Sequence, residues 1–175
     1  NRIQIFNQSK VLATYSDFPV LDEKEENNRS VWGNLVSFGV SPDEKHIVIT
    51  TGIGAAFEIL SLSGEEISHK LVKGFYAPKY SIAQGAVPTC AVVCPETVVG
   101  FNALHVANDC FYAVLAGPEE RYNEILKFDF DGECVHRYCL PSDIVYINCM
   151  TVDKGRLWAF VENKDGEIKL IKARV

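Results

Sequence analysis

Glu124 to Tyr138 reads EILKFDFDGECVHRY, and this stretch decides the fold. Apolar residues alternate through Leu126, Phe128 and Phe130, Asp131-Gly132 breaks the run, and Cys134, Val135 and Tyr138 carry the chain away. Alternation with period two places every second side chain on one face of a pleated strand, and an Asp-Gly step supplies the positive φ that a tight reversal needs. The stretch is predicted to be an antiparallel hairpin. Its pattern recurs in Phe57 to Leu71, FEILSLSGEEISHKL, with Ser63-Gly64 at the turn, and in Ile3 to Tyr15, IQIFNQSKVLATY. A recurring hairpin is a repeat unit, and repeated antiparallel strand units predict the blades of a propeller.

Working outward, each hairpin is preceded by another pair of strands. Leu35–Val40 leads into Ser41-Pro42-Asp43-Glu44-Lys45 and then into His46–Thr51. Proline fixes φ early in such a turn and the aspartate can bond the following backbone. Gly52-Ile53-Gly54 links this pair to the Phe57–Leu71 hairpin, which gives four strands with short connections. A second unit runs from Val98 to Leu140, with a turn at Asn108-Asp109 and a loop over Gly117–Asn123. A third starts at Val145–Val152, turns at Asp153-Lys154-Gly155, and ends with Ile168–Val175.

The three openings align. Phe38, Leu104 and Met150 fall in register, and so do Val40, Val106 and Val152, with Ile47, Phe111 and Leu157 starting the second strands. The spacings of 66 and 46 residues differ because Val72–Thr97 is inserted before the second unit. That stretch is rich in Gly, Pro and Tyr and is read as a long loop, with Ala91–Val93 adding a short strand. Its length suits a functional or a mobile segment. The predicted fold class is all-β: four-stranded antiparallel propeller blades, forming part of a ring. Residues 1–175 are one domain, with a half blade at 1–15, blades at 35–71 and 98–140, and a partial blade at 145–175. A β-sandwich would predict similar strands without the shared register.

Composition bounds the function. At 175 residues, with 47% hydrophobic and 23% charged residues, the chain can bury a sizeable core. A net charge of −6 argues against a nucleic-acid footprint, which needs clustered Lys and Arg. The acidic run Asp22-Glu23-Lys24-Glu25-Glu26 reads as a solvated loop. No apolar run approaches the ~18 residues of a membrane span. No signal-peptide pattern opens the chain and residue 1 is Asn, so the expectation is a processed chain or part of a longer one. Six cysteines, at positions 90, 94, 110, 134, 139 and 149, sit mostly in apolar strand-like runs and read as free, buried thiols. Cys90-x3-Cys94 has no second pair at metal-site spacing.

Three stretches together resemble the TolB-like six-bladed propeller family of bacterial proteins. They are IQIFNQSKVLATYSDFP at the start, the S-P-D-E-K turn at Ser41–Lys45, and NEILKFDFDGECVHRYCL followed by a strand-rich tail. The resemblance implies an exported or lipid-anchored, extracytoplasmic protein. It supplies no catalytic residues. A complete six-bladed ring of this kind needs about 300 residues at ~45 per blade, so the resemblance implies that this chain is about half of a six-bladed ring. The remaining blade faces must then be covered by N-terminal blades, by a second chain closing the ring as a homodimer, or in a split sandwich-like fold.

Motifs for catalysis are absent. The sequence has no G-x-S-x-G, no H-E-x-x-H and no G-x-x-x-x-G-K. Histidines 46, 69, 105 and 136 fall on separate strands and read as structural, so no catalytic residue, metal ligand or cofactor is assigned. Propellers bind on the loops joining blades and joining each blade's second and third strands. Those loops carry Trp32, Tyr76, Tyr80, Arg121 and Tyr122, residue types that dominate binding hot spots. The inner strands add Asn102 and Asn148, in register with Val36. The expected function is a non-enzymatic binding module for a protein, peptide or glycan. The alternatives are a metal-assisted hydrolase or lyase with a channel cation, and an assembly module whose open blade faces pair with another chain.

Overall fold

The computed structural model describes residues 3–7, 10–15, 36–62, 66–71, 78–83, 91–116 and 122–175, and every regular element among them is a β-strand. Three antiparallel meanders carry the fold. The first blade comprises β3 (Val36–Val40), β4 (His46–Thr51), β5 (Ala56–Ser61) and β6 (Glu66–Leu71). The second comprises β9 (Phe101–Val106), β10 (Phe111–Leu115), β11 (Glu124–Phe128) and β12 (Cys134–Cys139). The third has three strands, β13 (Ile144–Asp153), β14 (Arg156–Asn163) and β15 (Ile168–Arg174). Two hairpins stand apart from these sheets: β1 (Ile3–Asn7) with β2 (Lys10–Tyr15), and β7 (Tyr80–Ile82) with β8 (Ala91–Val93).

The first strand of each meander is the inner one. β9 lies against β3 and β4 on one side and against β13 on the other. Inner strands side by side, with each sheet running outward in sequence order, make the blades of a β-propeller. The molecule is all-β and forms part of such a ring.

Strand pairing fixes the repeat register. Val40 faces Ile47, Val106 faces Phe111, and Val152 faces Leu157. Two residues inward, Phe38, Leu104 and Met150 face Ile49, Ala113 and Ala159. Because side chains alternate, this shared register presents the same face of every blade to its predecessor. Between the first two blades, Val48, Phe57 and Ile59 meet Val106, Phe111, Leu126 and Phe128. The Phe57 ring lies 4.9 Å from Phe128 and 5.3 Å from Phe111. Between the second and third, Tyr112, Val114 and Ile125 meet Ile147, Leu157 and Val161. Gly39 lets the first seam close: a Cβ there would stand 2.7 Å from Cγ2 of Val106.

The turns differ in detail from the sequence reading. The Glu124–Tyr138 hairpin reverses over Asp129–Glu133, not over Asp131-Gly132 alone. Asp129 N–H donates to Glu133 O at 3.1 Å, and Gly132, at φ 80°, takes the left-handed position. A type I turn followed by a left-handed glycine suits a longer loop of this kind. Phe130 thereby leaves the strand alternation and stacks on His46 of the first blade, centroids 3.9 Å apart. At Ser41–Lys45 the expected aspartate bond is present, Asp43 Oδ1 accepting from Lys45 N–H at 3.2 Å. Ser41 contributes more: its buried Oγ accepts from Lys45 N–H and His46 N–H and donates to Asp43.

The cysteine reading needs correction. The five described cysteines are free, but only Cys110 is buried, while Cys134, Cys139 and Cys149 are exposed. Cys134 and Cys139 sit on β12, an edge strand, and Cys149 sits on the uncovered side of the third blade. The Ser63-Gly64 turn, the acidic run Asp22–Glu26 and Cys90 lie outside the described residues.

Candidate functional site

The inner strands begin at one end of the blades, and the β4–β5, β10–β11 and β12–β13 connections share that end. Backbone hydrogen bonds tie this rim together. Ile53 bridges Val99, Gly54 N–H donates to Val98 O, Gly100 N–H donates to Gly52 O, and Ala116 N–H donates to Gly100 O. Gly100 is needed for that closeness, because a Cβ would lie 2.6 Å from the Thr51 carbonyl oxygen and 2.7 Å from the Ala55 nitrogen. Within the second blade Leu140 N–H donates to Asn123 O, and within the third Lys164 N–H donates to Asp143 O. Loops bonded in this way present their side chains from a rigid base, which reduces the ordering cost of binding.

Asn102 and Asn148 occupy equivalent irregularities. In β9, Ala103 faces Val114 while Phe101 faces Leu115, so Asn102 is the extra residue of a bulge. In β13, Cys149 faces Phe160 while Ile147 faces Val161, so Asn148 is the extra residue there. β3, by contrast, pairs with β4 without a shift through Val36. A bulge re-aims a side chain and leaves it outside the ladder. Asn102 uses this freedom to cross the seam, Nδ2 donating to the Ile147 carbonyl at 3.1 Å. Its Oδ1 is buried and has no hydrogen-bond partner among the described residues. Asn148 is exposed.

Beside them stand two tyrosines. Tyr122 precedes β11 and Tyr146 opens β13, with ring centroids 5.0 Å apart at 50°. Both are half-buried. Tyr146 escaped the sequence reading because it sits inside an apolar strand-like run, where an aromatic reads as core. The structure thus places Asn102 and Tyr122 on the second seam and adds Tyr146, while Asn148 holds the position equivalent to Asn102 one blade further on. Tyr80 is set elsewhere, on β7 opposite Val93. Trp32, Tyr76 and Arg121 lie outside the described residues.

No protein-family model matches the sequence, and no curated protein matches it. Among solved structures, the chain is similar to the β-propeller domain of Cps50 (Swd1) from Myceliophteria thermophila. Identity is 11% and the TM-score 0.31, over 79% of this chain and 57% of that one. It is also similar to a streptogramin B lyase, at 14% identity and TM-score 0.31, over 82% of this chain and 55% of that one. The chain therefore spans little more than half the length of either structure. At these values the fold assignment stands on sheet order and strand register.

The rim chemistry is that of contact surfaces: aromatic faces, amide groups and backbone carbonyls. Among the described residues, no three His, Cys, Asp or Glu side chains are grouped as a metal ion would require. At the outer edge of the second blade, Arg137 pairs with Glu124, whose hydrogen bond and then charge hold the guanidinium pKa above its ordinary value.

Proposed function

We propose that the protein is a non-enzymatic binding module that recognises a protein, peptide or glycan on the rim between its second and third blades. One observation supports this reading above the others: two half-buried tyrosines and the bulged Asn102 share one seam, on loops fixed by backbone hydrogen bonds. Tyrosine offers large, stiff contact area with a polar tip, and asparagine offers both a donor and an acceptor. The resemblance to TolB-like propellers supports an extracytoplasmic setting and a ring completed to six blades. Trp32, Tyr76 and Arg121 belong to the same reading as the loop contacts expected from the sequence, with Tyr80 set apart on β7. The rival reading, a metal-assisted hydrolase or lyase, calls for several oxygen ligands converging on an axial cation.

Panning a displayed peptide library and a glycan array against the purified protein tests the proposal. Ligands recovered from either are expected to lose about tenfold in affinity on Tyr122→Ala or Tyr146→Ala, the loss of a hot-spot aromatic. Asp131→Ala, in the exposed β11–β12 turn at the opposite end of the second blade, should leave them unchanged. Binding indifferent to both tyrosines would remove the rim from the reading.

A further inference from the structure

Tyr122 and Tyr146 come from different blades, so the ladder of neither sheet sets their spacing. Tyr122 precedes β11 of the second blade, Tyr146 lies in β13 of the third, and their ring centroids are 5.0 Å apart. β13 is irregular on both sides of this point. Ile144 faces Asn163 while Tyr146 faces Glu162, and Ile147 faces Val161 while Cys149 faces Phe160, so Val145 and Asn148 are both extra residues. Tyr146-Ile147 is thus a two-residue piece of strand between two bulges, where the ladder is locally disrupted.

The second blade holds that piece from across the seam. Asn102 Nδ2 donates to the carbonyl of Ile147, the residue after Tyr146, at 3.1 Å. A second amide steadies the other tyrosine. Asn123, next to Tyr122, donates from Nδ2 to the Leu140 carbonyl at 3.4 Å, and its own carbonyl accepts from Leu140 N–H at 2.9 Å. Each tyrosine therefore has an asparagine tie within one residue of it, and both ties issue from the second blade.

An inner strand has no structural need of an amide at this place. β3 carries Val36 in the register of Asn102 and pairs with β4 without a shift. In β9 the amide works partly against stability, because Oδ1 is buried without a hydrogen-bond partner among the described residues. Natural sequences break such local rules at functional places.

We infer that Asn102 is a positioning residue of the rim: its amide sets the spacing of Tyr122 and Tyr146, with Asn123 as the second tie, so that a ligand meets a preformed aromatic pair. Its role in binding rests on the rim reading proposed above, whereas the ring spacing stands without it. Preorganisation of this kind raises affinity by lowering the ordering cost of binding, with no new contact.

Photo-oxidative cross-linking reads the spacing without any ligand. With a ruthenium tris-bipyridyl sensitiser and persulfate as oxidant, each ring gives up one electron and one proton and the two join as dityrosine. Peptide mass spectrometry then assigns the bond to Tyr122 and Tyr146. Asn102→Ala and Asn102→Asp should each lower that yield roughly threefold or more at neutral pH, since an ionised carboxylate only accepts. At about pH 4, where burial favours the protonated carboxyl, Asn102→Asp regains a donor and its yield should return toward that of wild type at the same pH. A side chain that merely filled space would give no such recovery. Asn123→Ala should act in the same direction through Tyr122, and replaces any Asn102 variant that loses its far-ultraviolet circular dichroism. Ligands recovered by panning should weaken roughly three- to tenfold in Asn102→Ala, the equivalent of one net hydrogen bond. Yields unchanged in folded Asn102 and Asn123 variants, or no recovery at low pH, overturn the inference. A lowered yield without any tyrosine-dependent ligand upholds the ties and removes the rim reading instead.

Discussion

Asn102 is anchored at one end and unsatisfied at the other, which makes its contribution measurable. Its amide nitrogen bonds the Ile147 carbonyl across the second seam, so Asn102→Ala removes a part-buried hydrogen bond and leaves that carbonyl without it. The expected loss is about 1–2 kcal/mol in urea unfolding. The equivalent Asn148→Ala, at an exposed position, should fall within about 0.5 kcal/mol of wild type. His105 provides a second test on the same seam. Burial holds its pKa below the ordinary 6.5, with a backbone bond at Val152 acting in the opposite sense. The unfolded chain therefore binds a proton more readily than the folded one, so this group's contribution to stability falls as pH drops below about 6.5. His105→Gln should flatten the pH dependence of the urea midpoint below that value, and an unchanged slope would exonerate His105. The alignment of three inner strands made both asparagines visible in the sequence. Their bulges were not visible, because a bulge depends on the partner strand's register and leaves no mark on its own strand.

At the scale of the element, the Ser41–Lys45 turn shows how local chemistry is read well and weighted badly. Pro42 and Asp43 announce the turn, yet the more heavily used side chain is Ser41, which is buried and holds two backbone donors and the Asp43 carboxylate. Removing its hydroxyl takes the side-chain acceptor from the His46 amide and leaves the Lys45 amide with its bond to Asp43 alone. Ser41→Ala is therefore expected to cost about 1–3 kcal/mol, and Asp43→Ala, on the solvent side, distinctly less; a reversed order in denaturant titrations would return the turn to its aspartate. The same limit applies to the hairpin at Glu124–Tyr138. Its strands were legible from alternation, but Phe130 reads as one more inward residue and in fact leaves the strand to stack on His46. Alternation reports the strand's face and says nothing of a neighbouring blade. The cysteines of β12 and β13 were misread for a related reason, since an apolar run looks alike on a covered sheet and on an edge or open face.

For the molecule as a whole, the second blade carries the coupling, because it alone is packed on both faces among the described residues. Phe128 sits in the first seam, within 5.0 Å of both Phe57 and Phe111 by ring centroid. Its truncation should cost about 3–5 kcal/mol, the usual range for a buried phenylalanine. Whether that loss reaches the third blade depends on the second seam, where Tyr112, Val114 and Ile125 pack on Ile147, Leu157 and Val161. Stacked repeats couple through their shared faces, and a buried apolar seam of this kind favours a single cooperative unit. With Trp32 replaced by Phe, Trp158 alone reports on the third blade. In Phe128→Ala its fluorescence midpoint should then move with the circular dichroism midpoint. A Trp158 signal that stays at the wild-type midpoint would mean that the third blade unfolds by itself, with the second seam too weak to transmit a defect made in the first.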